Sequence, residues 1–228
     1  MPEIKEKFTA LIMAAGTSSR MGGTPKQFIT LYDKTVLLRS MQAFQNCLFV
    51  DKIIVVTQKN FFDRVEAEAK KGDITKFCGA VEGANCRTLS VKQGLMAVNG
   101  NYVLIHDCAR PMVTGEVIAA VAEAAVNFGG AVCGVPVKDT VKEVCNDGFV
   151  GKTLDRSRLI SVQTPQGFKT DLLKEAYAKL TNPENFTDDS SVMEAAGYRV
   201  KTVMGDYTNI KITTPEDLPA AERFIRSE

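Results

Sequence analysis

Residues 8–27 read Phe8-Thr9-Ala10-Leu11-Ile12-Met13-Ala14-Ala15-Gly16-Thr17-Ser18-Ser19-Arg20-Met21-Gly22-Gly23-Thr24-Pro25-Lys26-Gln27. The segment begins as a short apolar run of buried-strand length and continues as a loop of small residues with two cations, Arg20 and Lys26. Small side chains let backbone N–H groups approach an anion, and the guanidinium and ammonium groups add charge and donors. We therefore predict a polyphosphate site after a strand. An ordinary surface loop with two solvated cations is the alternative.

Spacing excludes two common phosphate-binding motifs from this loop. A Walker loop places Gly-Lys-Ser/Thr five residues after its first glycine, but the corresponding place after Gly16 holds Met21-Gly22-Gly23. A dinucleotide fingerprint needs Gly-x-Gly-x-x-Gly, and here the matching positions hold Ala14, Gly16 and Ser19. A dehydrogenase is therefore poorly supported.

Composition excludes several further classes of protein. The 228 residues suit one α/β domain, and 28 basic against 27 acidic residues create no field that would attract nucleic acid or a membrane. No apolar run is long enough to span a bilayer, and residues 1–7 lack the apolar core of a signal peptide. The six cysteines contain no Cys-x-x-Cys pair. We expect a reduced cytoplasmic protein, or one of the plastid stroma if the source is photosynthetic, without a structural metal.

Strand-like and helix-like segments alternate along the chain. After the first strand, further strands are predicted at 52–57, 75–81, 102–105 and 130–135, and helices at 35–44, 61–71, 87–98 and 117–126. This alternation predicts an α/β fold with a doubly wound, mostly parallel sheet. In such a sheet the binding sites lie at the carboxyl ends of the strands.

The interval 137–154 interrupts this alternation. Residues 137–144 alternate polar and apolar, Asn146-Asp147-Gly148 is a turn signal, and residues 149–154 resume a strand-like pattern. The pattern predicts a β-hairpin outside the parallel sheet. A projecting arm covered by a second subunit would explain its apolar residues, and a hairpin lying on its own domain is the alternative.

Chemically useful residues follow the predicted strand 102–105. Asp107 stands where a carboxylate could hold Mg²⁺ directly or through its water shell, and Arg110 where it could reach a phosphate. Alternatively, these two residues pair with each other. His106 is the only histidine, which argues against a Ser-His-Asp or histidine–metal site, and we interpret it as structural.

Positions nearer the end of the chain also have structural alternatives. Thr187 and Asp188 open a predicted helix, where capping is as good an interpretation as ligand contact. Lys211 lies in 209–213, predicted as a short strand, and a solvent-facing edge position is its alternative. A helix is predicted to begin at Thr214, with Pro215 in its first turn.

Ordered blocks of sequence carry a resemblance to a known family. They are Ala14-Ala15-Gly16-x-x-x-Arg20-Met21-Gly22 with Pro25-Lys26-Gln27, His106-Asp107-x-Ala109-Arg110-Pro111, Asp139-Thr140-Val141-Lys142, Thr164-Pro165-Gln166-Gly167-Phe168, Thr187-Asp188 and Asn209-Ile210-Lys211-Ile212-Thr213. Over almost the whole chain they resemble the 2-C-methyl-D-erythritol 4-phosphate cytidylyltransferases, nucleotidyltransferases of the non-mevalonate isoprenoid pathway.

The resemblance implies a Rossmann-like nucleotidyltransferase fold as a single domain over 1–228, with a dimerisation β-arm at about 138–158. It implies transfer of CMP from CTP to 2-C-methyl-D-erythritol 4-phosphate, which gives 4-diphosphocytidyl-2-C-methyl-D-erythritol and pyrophosphate. It also implies Mg²⁺ or another divalent cation, and a homodimer with exchanged arms.

The resemblance further implies roles for individual residues. The implied catalytic residues are Arg20, Lys26, Arg156 and Lys211. Nucleotide binding falls to Ala14, Ala15, Gly16, Arg20, Lys26, Gly83, Arg87, Ser90, Asp107 and Lys211. Binding of the sugar phosphate falls to Asp107, Arg110, Thr140, Arg156, Thr164 and Thr187, and Asp107 would also hold the metal. One departure is the spacing from Gly83 to Arg87, which is a residue longer than the usual Gly-x-x-Arg.

Two further functions remain open at this point. One is a cytidylyltransferase acting on ribitol 5-phosphate or another polyol phosphate, a branch that often carries Ala-Gly-Gly in place of Ala14-Ala15-Gly16 and differs after the arm, where Leu154-Asp155-Arg156 resembles the erythritol branch. The other is a non-catalytic nucleotide-binding module, which the presence of Arg20, Lys26 and Lys211 disfavours.

Overall fold

The apolar run Phe8–Met13 forms strand β1, which is buried along its whole length and has a parallel neighbour on each side. The computed structural model of the protein describes residues 4–18, 21–22 and 24–226. Ala10 and Ile12 contact one apolar cluster, whereas Leu11 and Met13 contact another. Because both faces of β1 are covered, its apolar residues run without polar alternation.

The remaining strands build one large sheet and two small hairpins. They are β2 Thr30–Leu31, β3 Lys34–Thr35, β4 Val50–Thr57, β5 Phe77–Glu82, β6 Tyr102–Asp107, β7 Gly130–Pro136, β8 Lys142–Val144, β9 Val150–Thr153, β10 Ile160–Lys169 and β11 Lys201–Met204. Within the described residues, seven strands form the main sheet in the order β11-β7-β10-β6-β1-β4-β5. β10 is antiparallel to β6 and β7, and the other neighbouring pairs are parallel. The predicted mostly parallel sheet is confirmed.

Helices cover both faces of this sheet. They are α1 Val36–Gln45, α2 Phe62–Lys71, α3 Arg87–Met96, α4 Gly115–Phe128, α5 Thr170–Ala178, α6 Asp189–Ala195 and α7 Asp217–Arg226. Helices α1, α2, α4 and α7 contribute to one apolar cluster, and α3, α5 and α6 to the other. No helix in the described part of the chain has the length and apolar character needed to cross a bilayer.

Parallel pairing brings several loops to one edge of the sheet. Strands β1, β4, β5 and β6 run in the same direction, so their carboxyl ends meet at that edge. The loop 14–27, called the phosphate loop below after the polyphosphate site predicted for it, follows β1. The turn before α3 follows β5, and Asp107 ends β6. Separate parts of the sequence thus meet at one position, as the doubly wound topology requires.

Two predictions near the end of the chain are wrong. Residues 209–213 are not a strand but an irregular segment, attached to the edge by the Ile212 N–H, which donates to the Ala109 carbonyl oxygen at 2.8 Å. Helix α7 begins at Asp217 instead of Thr214. The Asp217 carboxylate accepts the backbone N–H groups of Thr213 and Thr214 at 2.7 and 2.9 Å, which holds these residues in a turn before the helix.

The predicted hairpin is confirmed as the antiparallel pair β8–β9. All of its strand residues are exposed, including Val144 and Val150, and Phe149 beside the turn is 73% exposed. The arm therefore does not lie on its own domain, and that alternative is wrong.

Candidate active site

The phosphate loop folds back across the end of β1. The Ala14 N–H donates to the Val56 carbonyl oxygen at 2.7 Å, so the loop starts as a continuation of the β1–β4 pairing. Ser18 adopts a positive φ of 54°, and its hydroxyl accepts the Lys26 backbone N–H at 3.2 Å. This contact turns the loop back on itself. The predicted residue Arg20 lies outside the described residues.

Lys26 joins the phosphate loop to the segment 209–213. Its Nζ donates to the carbonyl oxygen of Ile212 at 3.2 Å. Ala15 and Gly16 lie in the loop between β1 and Lys26, and a Cβ added to Gly16 would have no atom within 4 Å. The loop thus leaves open space beside its backbone at Gly16.

Gly83 lies where the turn after β5 meets the phosphate loop. An added Cβ would come within 2.4 Å of the Ala15 Cβ and 3.1 Å of the Ser90 Oγ, so only glycine allows this approach. The Ser90 hydroxyl accepts the Ala84 N–H at 2.9 Å and is buried. Gly83 and Ser90 therefore shape the turn that leads into Arg87, the first residue of α3.

Asp107 lies between two cations at the end of β6. Arg87 Nε donates to its Oδ1 at 3.1 Å, and Lys211 Nζ donates to its Oδ2 at 2.6 Å. Residues from three separate parts of the chain thus form one charged group at the edge of the sheet. Arg110 is not an ion-pair partner of Asp107, so the predicted alternative of a direct Asp107–Arg110 pair is wrong.

Electrostatics keep these groups charged. Burial raises the pKa of the Asp107 carboxyl, but the positive charges of Arg87 and Lys211 outweigh burial and hold that pKa well below its usual range. Burial lowers the pKa of the Arg87 guanidinium, but Asp189 and Asp107 outweigh burial and raise that pKa well above its usual value. The carboxylate is therefore ionised and the guanidinium protonated at neutral pH.

Arg110 points its guanidinium at backbone oxygens. Its Nη1 donates to the Asn209 carbonyl oxygen at 2.8 Å and its Nη2 to the Val162 carbonyl oxygen at 3.4 Å, while its buried Nε has no hydrogen-bond partner. Asn209 is itself fixed, because its Nδ2 donates to the Thr164 carbonyl oxygen at 2.9 Å. Arg110 thus joins the irregular segment to β10 and retains an unused donor.

His106 and Thr164 fix the backbone at Asp107. His106 Nε2 lies 3.1 Å from the Arg110 carbonyl oxygen, which can only accept, so the ring proton is on Nε2. Nδ1 then accepts the Thr164 hydroxyl at 3.1 Å, and the same hydroxyl accepts the Asp107 N–H at 3.0 Å. Burial lowers the pKa of His106 to about 4. The histidine is therefore neutral and agrees with the structural interpretation.

Many of these residues line one cleft. The cleft has a volume of about 420 Å³ and is lined by Arg87, Asp107, Arg110, Val162, Gln163, Thr164, Gln166, Thr187, Asp188, Ser190, Ser191, Glu194 and Lys211. A larger cavity of about 810 Å³ is formed by α1, residues 111–116 and residues near both ends of the chain. That cavity contains none of the predicted site residues, so size alone does not identify the site.

The predicted residues of the phosphate loop and of the turn after β5 (Ala14, Ala15, Gly16, Lys26, Gly83 and Ser90) do not line this cleft, and neither do Thr140 and Arg156 of the arm. Thr140 precedes β8 and is exposed, and Arg156 lies in a short 3-10 helix after β9, also exposed. Arg156 Nη1 donates to the Lys138 carbonyl oxygen at 2.6 Å, so its side chain lies along the base of the arm. Both residues belong to the arm and not to the charged group around Asp107.

The donor set suits a metal held mainly by its substrate. No group of three or more histidine, cysteine, aspartate or glutamate side chains that could hold a metal is found among the described residues. Mg²⁺ in nucleotide sites usually takes one or two carboxylates together with phosphate oxygens and water. The ionised Asp107 fits this requirement, because each carboxylate oxygen keeps a lone pair beyond its contact with Arg87 or Lys211.

Sequence reasoning missed residues that hold the site together. Asp189 Oδ2 accepts Arg87 Nη2 at 2.8 Å, and its Oδ1 accepts the Tyr177 hydroxyl at 2.7 Å. Gln166 Oε1 accepts the N–H groups of Asp189 and Ser190 at 3.1 and 2.9 Å. The sequence does contain a signal, the acidic pair Asp188-Asp189 after Thr187. Helix capping explains Asp188 and leaves Asp189 without a predicted role.

Comparisons with known proteins agree on one family. The family model described as 2-C-methyl-D-erythritol 4-phosphate cytidylyltransferase matches residues 8–227. A relative of that name from Dehalococcoides mccartyi is 42% identical over 224 residues and covers 98% of both chains. Another of that name, from Clostridium novyi, is 42% identical over 225 residues and covers 97% of both.

Solved structures give the same result. The 4-diphosphocytidyl-2C-methyl-D-erythritol synthase of Anaerococcus prevotii superposes with a TM-score of 0.84 at 29% identity, covering 97% of this chain and 96% of that one. The 2-C-methyl-D-erythritol 4-phosphate cytidylyltransferase of Thermus thermophilus superposes with a TM-score of 0.77 at 33% identity, covering 95% and 98%.

Proposed function

This chain belongs to the 2-C-methyl-D-erythritol 4-phosphate cytidylyltransferase family, and on that basis we propose that the cleft around Asp107 is its active site. The chain is a nucleotidyltransferase: it transfers CMP from CTP to 2-C-methyl-D-erythritol 4-phosphate and releases pyrophosphate. The observation that carries the proposal is the group of Arg87, Asp107 and Lys211 at the carboxyl edge of the sheet.

The reaction needs charge and positioning more than proton transfer. A phosphate oxygen of the acceptor attacks the α-phosphorus of CTP, and the bond to pyrophosphate breaks. A phosphate monoester is largely a dianion near neutral pH, because its second pKa is about 6, and it attacks without a general base. The only histidine is buried and neutral, which suits a mechanism without a base. The barrier is mainly repulsion between anions, so fixed cations lower it.

Catalysis is proposed to rest on Arg20, Lys26, Lys211 and Arg156. Lys26 and Lys211 belong to segments that contact each other, since Lys26 bonds the backbone of Ile212. This contact supports a shared role at the transferring phosphates. Arg20 is assigned to the triphosphate because it belongs to the same loop as Lys26.

The nucleotide is proposed to bind between the phosphate loop and α3. Backbone groups of Ala14, Ala15 and Gly16 would line its phosphates, and the open space at Gly16 supports this. Gly83, Arg87 and Ser90 would hold the cytidine end, with Gly83 and Ser90 acting through the shape of the turn. The close approach of Gly83 to Ala15 supports one continuous nucleotide subsite.

The sugar phosphate is proposed to bind on the other side of Asp107. Arg110 and Thr187 line the cleft there, and Arg110 keeps an unused buried donor. Thr164 contributes by fixing the Asp107 backbone. Thr140 and Arg156 are assigned to the acceptor from the arm, and from there they would reach a partner's cleft.

A divalent cation is proposed as cofactor, with Asp107 as its protein ligand. When bound, Mg²⁺ supplies positive charge that offsets the negative charge of the phosphates. Asp107 is ionised at neutral pH, as a ligand must be.

We also propose that each chain is a single domain over 1–228 and that two chains form a homodimer through the arm. The exposed apolar residues Val144, Phe149 and Val150 support it, because a second subunit would bury them. A cytoplasmic setting is proposed as well. All six cysteines are free thiols, which is usual in reducing compartments.

Replacing Lys211 tests the proposed site. Lys211→Met should lower kcat/KM for pyrophosphate release from CTP and 2-C-methyl-D-erythritol 4-phosphate by at least about 100-fold, because a cation at the transferring phosphates is lost. Lys52→Met, at an exposed position of β4, is the matched control and should keep full activity. A Lys211→Met enzyme as active as the control, with the same thermal unfolding, would place the reaction elsewhere.

A further inference from the structure

Asp189 is a buried carboxylate that does not cap a helix. Asp189 is the first residue of α6 and is 0% exposed. The cap of that helix is Asp188, whose Oδ1 accepts the Ser191 N–H at 3.0 Å. The Asp189 N–H is satisfied by Gln166 at 3.1 Å. The helix therefore does not need the Asp189 side chain.

The Asp189 carboxylate has two side-chain partners instead. Its Oδ1 accepts the Tyr177 hydroxyl at 2.7 Å, and its Oδ2 accepts Arg87 Nη2 at 2.8 Å. Burying a carboxylate is costly even when it is paired. The Asp189 side chain makes its contacts outside α6, and one of them is with a residue that lines the cleft. Stability alone does not explain this arrangement.

Arg87 is held at two points of its rigid fork. Nη2 bonds Asp189 in the interior, and Nε bonds Asp107 at 3.1 Å beside the cleft. Two contacts on a planar guanidinium fix both its position and the direction of its plane. Lys211 completes the series on the other oxygen of Asp107 at 2.6 Å. A line of alternating charges thus runs from the interior to the cleft.

We propose that Asp189, held by Tyr177, is a positioning residue that fixes the guanidinium plane of Arg87 for CTP. The inference rests on the proposed function, because it takes Arg87 as part of the nucleotide subsite. A second contact supports it: Thr88 Oγ1 donates to the Phe186 carbonyl oxygen at 3.3 Å, so the start of α3 is attached to the chain just before α6. Loss of the Asp189 charge weakens the hydrogen bond that holds the interior end of Arg87, while Asp107 remains paired with Lys211.

Steady-state kinetics of Asp189→Asn test the inference. The substitution keeps side-chain size and replaces the charged acceptor of Arg87 with a neutral amide oxygen. KM for CTP should therefore rise about tenfold, as expected when a charge-assisted hydrogen bond becomes an ordinary one. The kcat value should change less than KM, since Asp107 and Lys211 remain paired. Asp171→Asn is the matched control, because Asp171 is exposed on α5, the helix that carries Tyr177. It should leave both constants unchanged.

Tyr177→Phe provides a second variant that keeps the buried charge. It removes only the hydroxyl that orients Asp189, so KM for CTP should rise in the same direction and by less. If Asp189→Asn does not fold, this variant decides the question. An unchanged KM for CTP in folded Tyr177→Phe would then overturn the inference.

A double-mutant cycle with Arg87→Met separates positioning from a general structural role. If Asp189 acts through Arg87, Asp189→Asn should add little to the KM already raised by Arg87→Met. An undiminished further rise in the Arg87→Met background would overturn the inference. If Arg87→Met raises KM for CTP and Asp189→Asn does not, the inference fails and the proposed function stands. If Arg87→Met itself leaves KM unchanged, the nucleotide role of Arg87 fails, and the inference fails with it.

Discussion

At the scale of single residues, the cleft depends on which groups are charged and which are kept neutral. Asp107 is ionised because two cations contact it, whereas His106, its neighbour in β6, is neutral because it is buried. The neutral ring accepts the Thr164 hydroxyl through Nδ1, and that hydroxyl holds the Asp107 N–H. A protonated ring would lose this acceptor and place a positive charge near that of Arg110.

His106 should make stability depend on pH in a defined range. Burial lowers its pKa in the folded state from 6.5 to about 4, so between these values the unfolded chain binds a proton that the folded chain does not. Its contribution to stability is complete above about pH 6.5 and is lost as the pH falls to about 4, by about 3 kcal/mol in total. Urea unfolding across this range measures the effect.

His106→Gln is the variant that isolates this contribution. Because the chain has a single histidine, the variant should lose most of the decrease in unfolding free energy between about pH 6.5 and about pH 5. Carboxylates dominate only at lower pH. If wild type and His106→Gln show the same slope in this range, His106 is not kept neutral by the fold.

At the scale of elements, the site depends on how closely two loops approach. Gly83→Ala should destabilise the protein by about 1–3 kcal/mol and raise KM for CTP, because the new Cβ would overlap the Cβ of Ala15. Gly16→Ala should change the unfolding free energy by less than about 0.5 kcal/mol, since its Cβ meets no atom. Chemical denaturation of both variants provides the measurement. Equal stability of the two would show that the loops do not approach as described.

Local sequence predicts those elements whose stabilising pattern lies within one short segment of the chain. The apolar run of buried-strand length predicts β1, and the helical pattern at 35–44 predicts α1. In the structure the Thr35 hydroxyl caps α1 by accepting the Leu38 N–H. The hairpin was recognised from alternation and a turn signal. Each of these patterns lies within a single short segment.

Elements that are fixed by contacts with residues far away in the sequence cannot be predicted in the same way. β10 runs antiparallel between β6 and β7, and its pairing partners lie far away in the sequence, so it received no prediction. The segment 209–213 has the composition of a strand, but its backbone does not pair with a strand. The Ile212 N–H donates to Ala109, and the carbonyl oxygens of Asn209 and Ile212 accept the side chains of Arg110 and Lys26. The contact of Lys211 with Asp107 depends on this irregular path and was found only from the structure.

At the scale of the whole molecule, the strands of the arm are exposed and do not pack against the rest of the described chain. Its strands are exposed on both faces, which is unusual for a hairpin with apolar residues. Arg156 and Thr140 lie on this arm and not around Asp107. If the arm reaches a second copy, each active site combines residues from both chains.

Subunit complementation tests this sharing of sites. Arg20→Ala and Arg156→Ala should each be nearly inactive, but a mixed dimer has one site with both arginines intact when Arg156 acts in the partner's cleft. Random mixing should then restore about a quarter of the wild-type activity, because half of the dimers carry one good site of two. No recovery in purified heterodimers would mean that each site is built within one chain.

The central claim is that this chain transfers CMP from CTP to 2-C-methyl-D-erythritol 4-phosphate, which gives 4-diphosphocytidyl-2-C-methyl-D-erythritol and pyrophosphate. The most direct test is the rate of pyrophosphate release with CTP and Mg²⁺, comparing 2-C-methyl-D-erythritol 4-phosphate with ribitol 5-phosphate at equal concentration. We expect rapid release with the first acceptor and little with the second. Preference for ribitol 5-phosphate, or no release with either from folded protein that binds CTP, would contradict it.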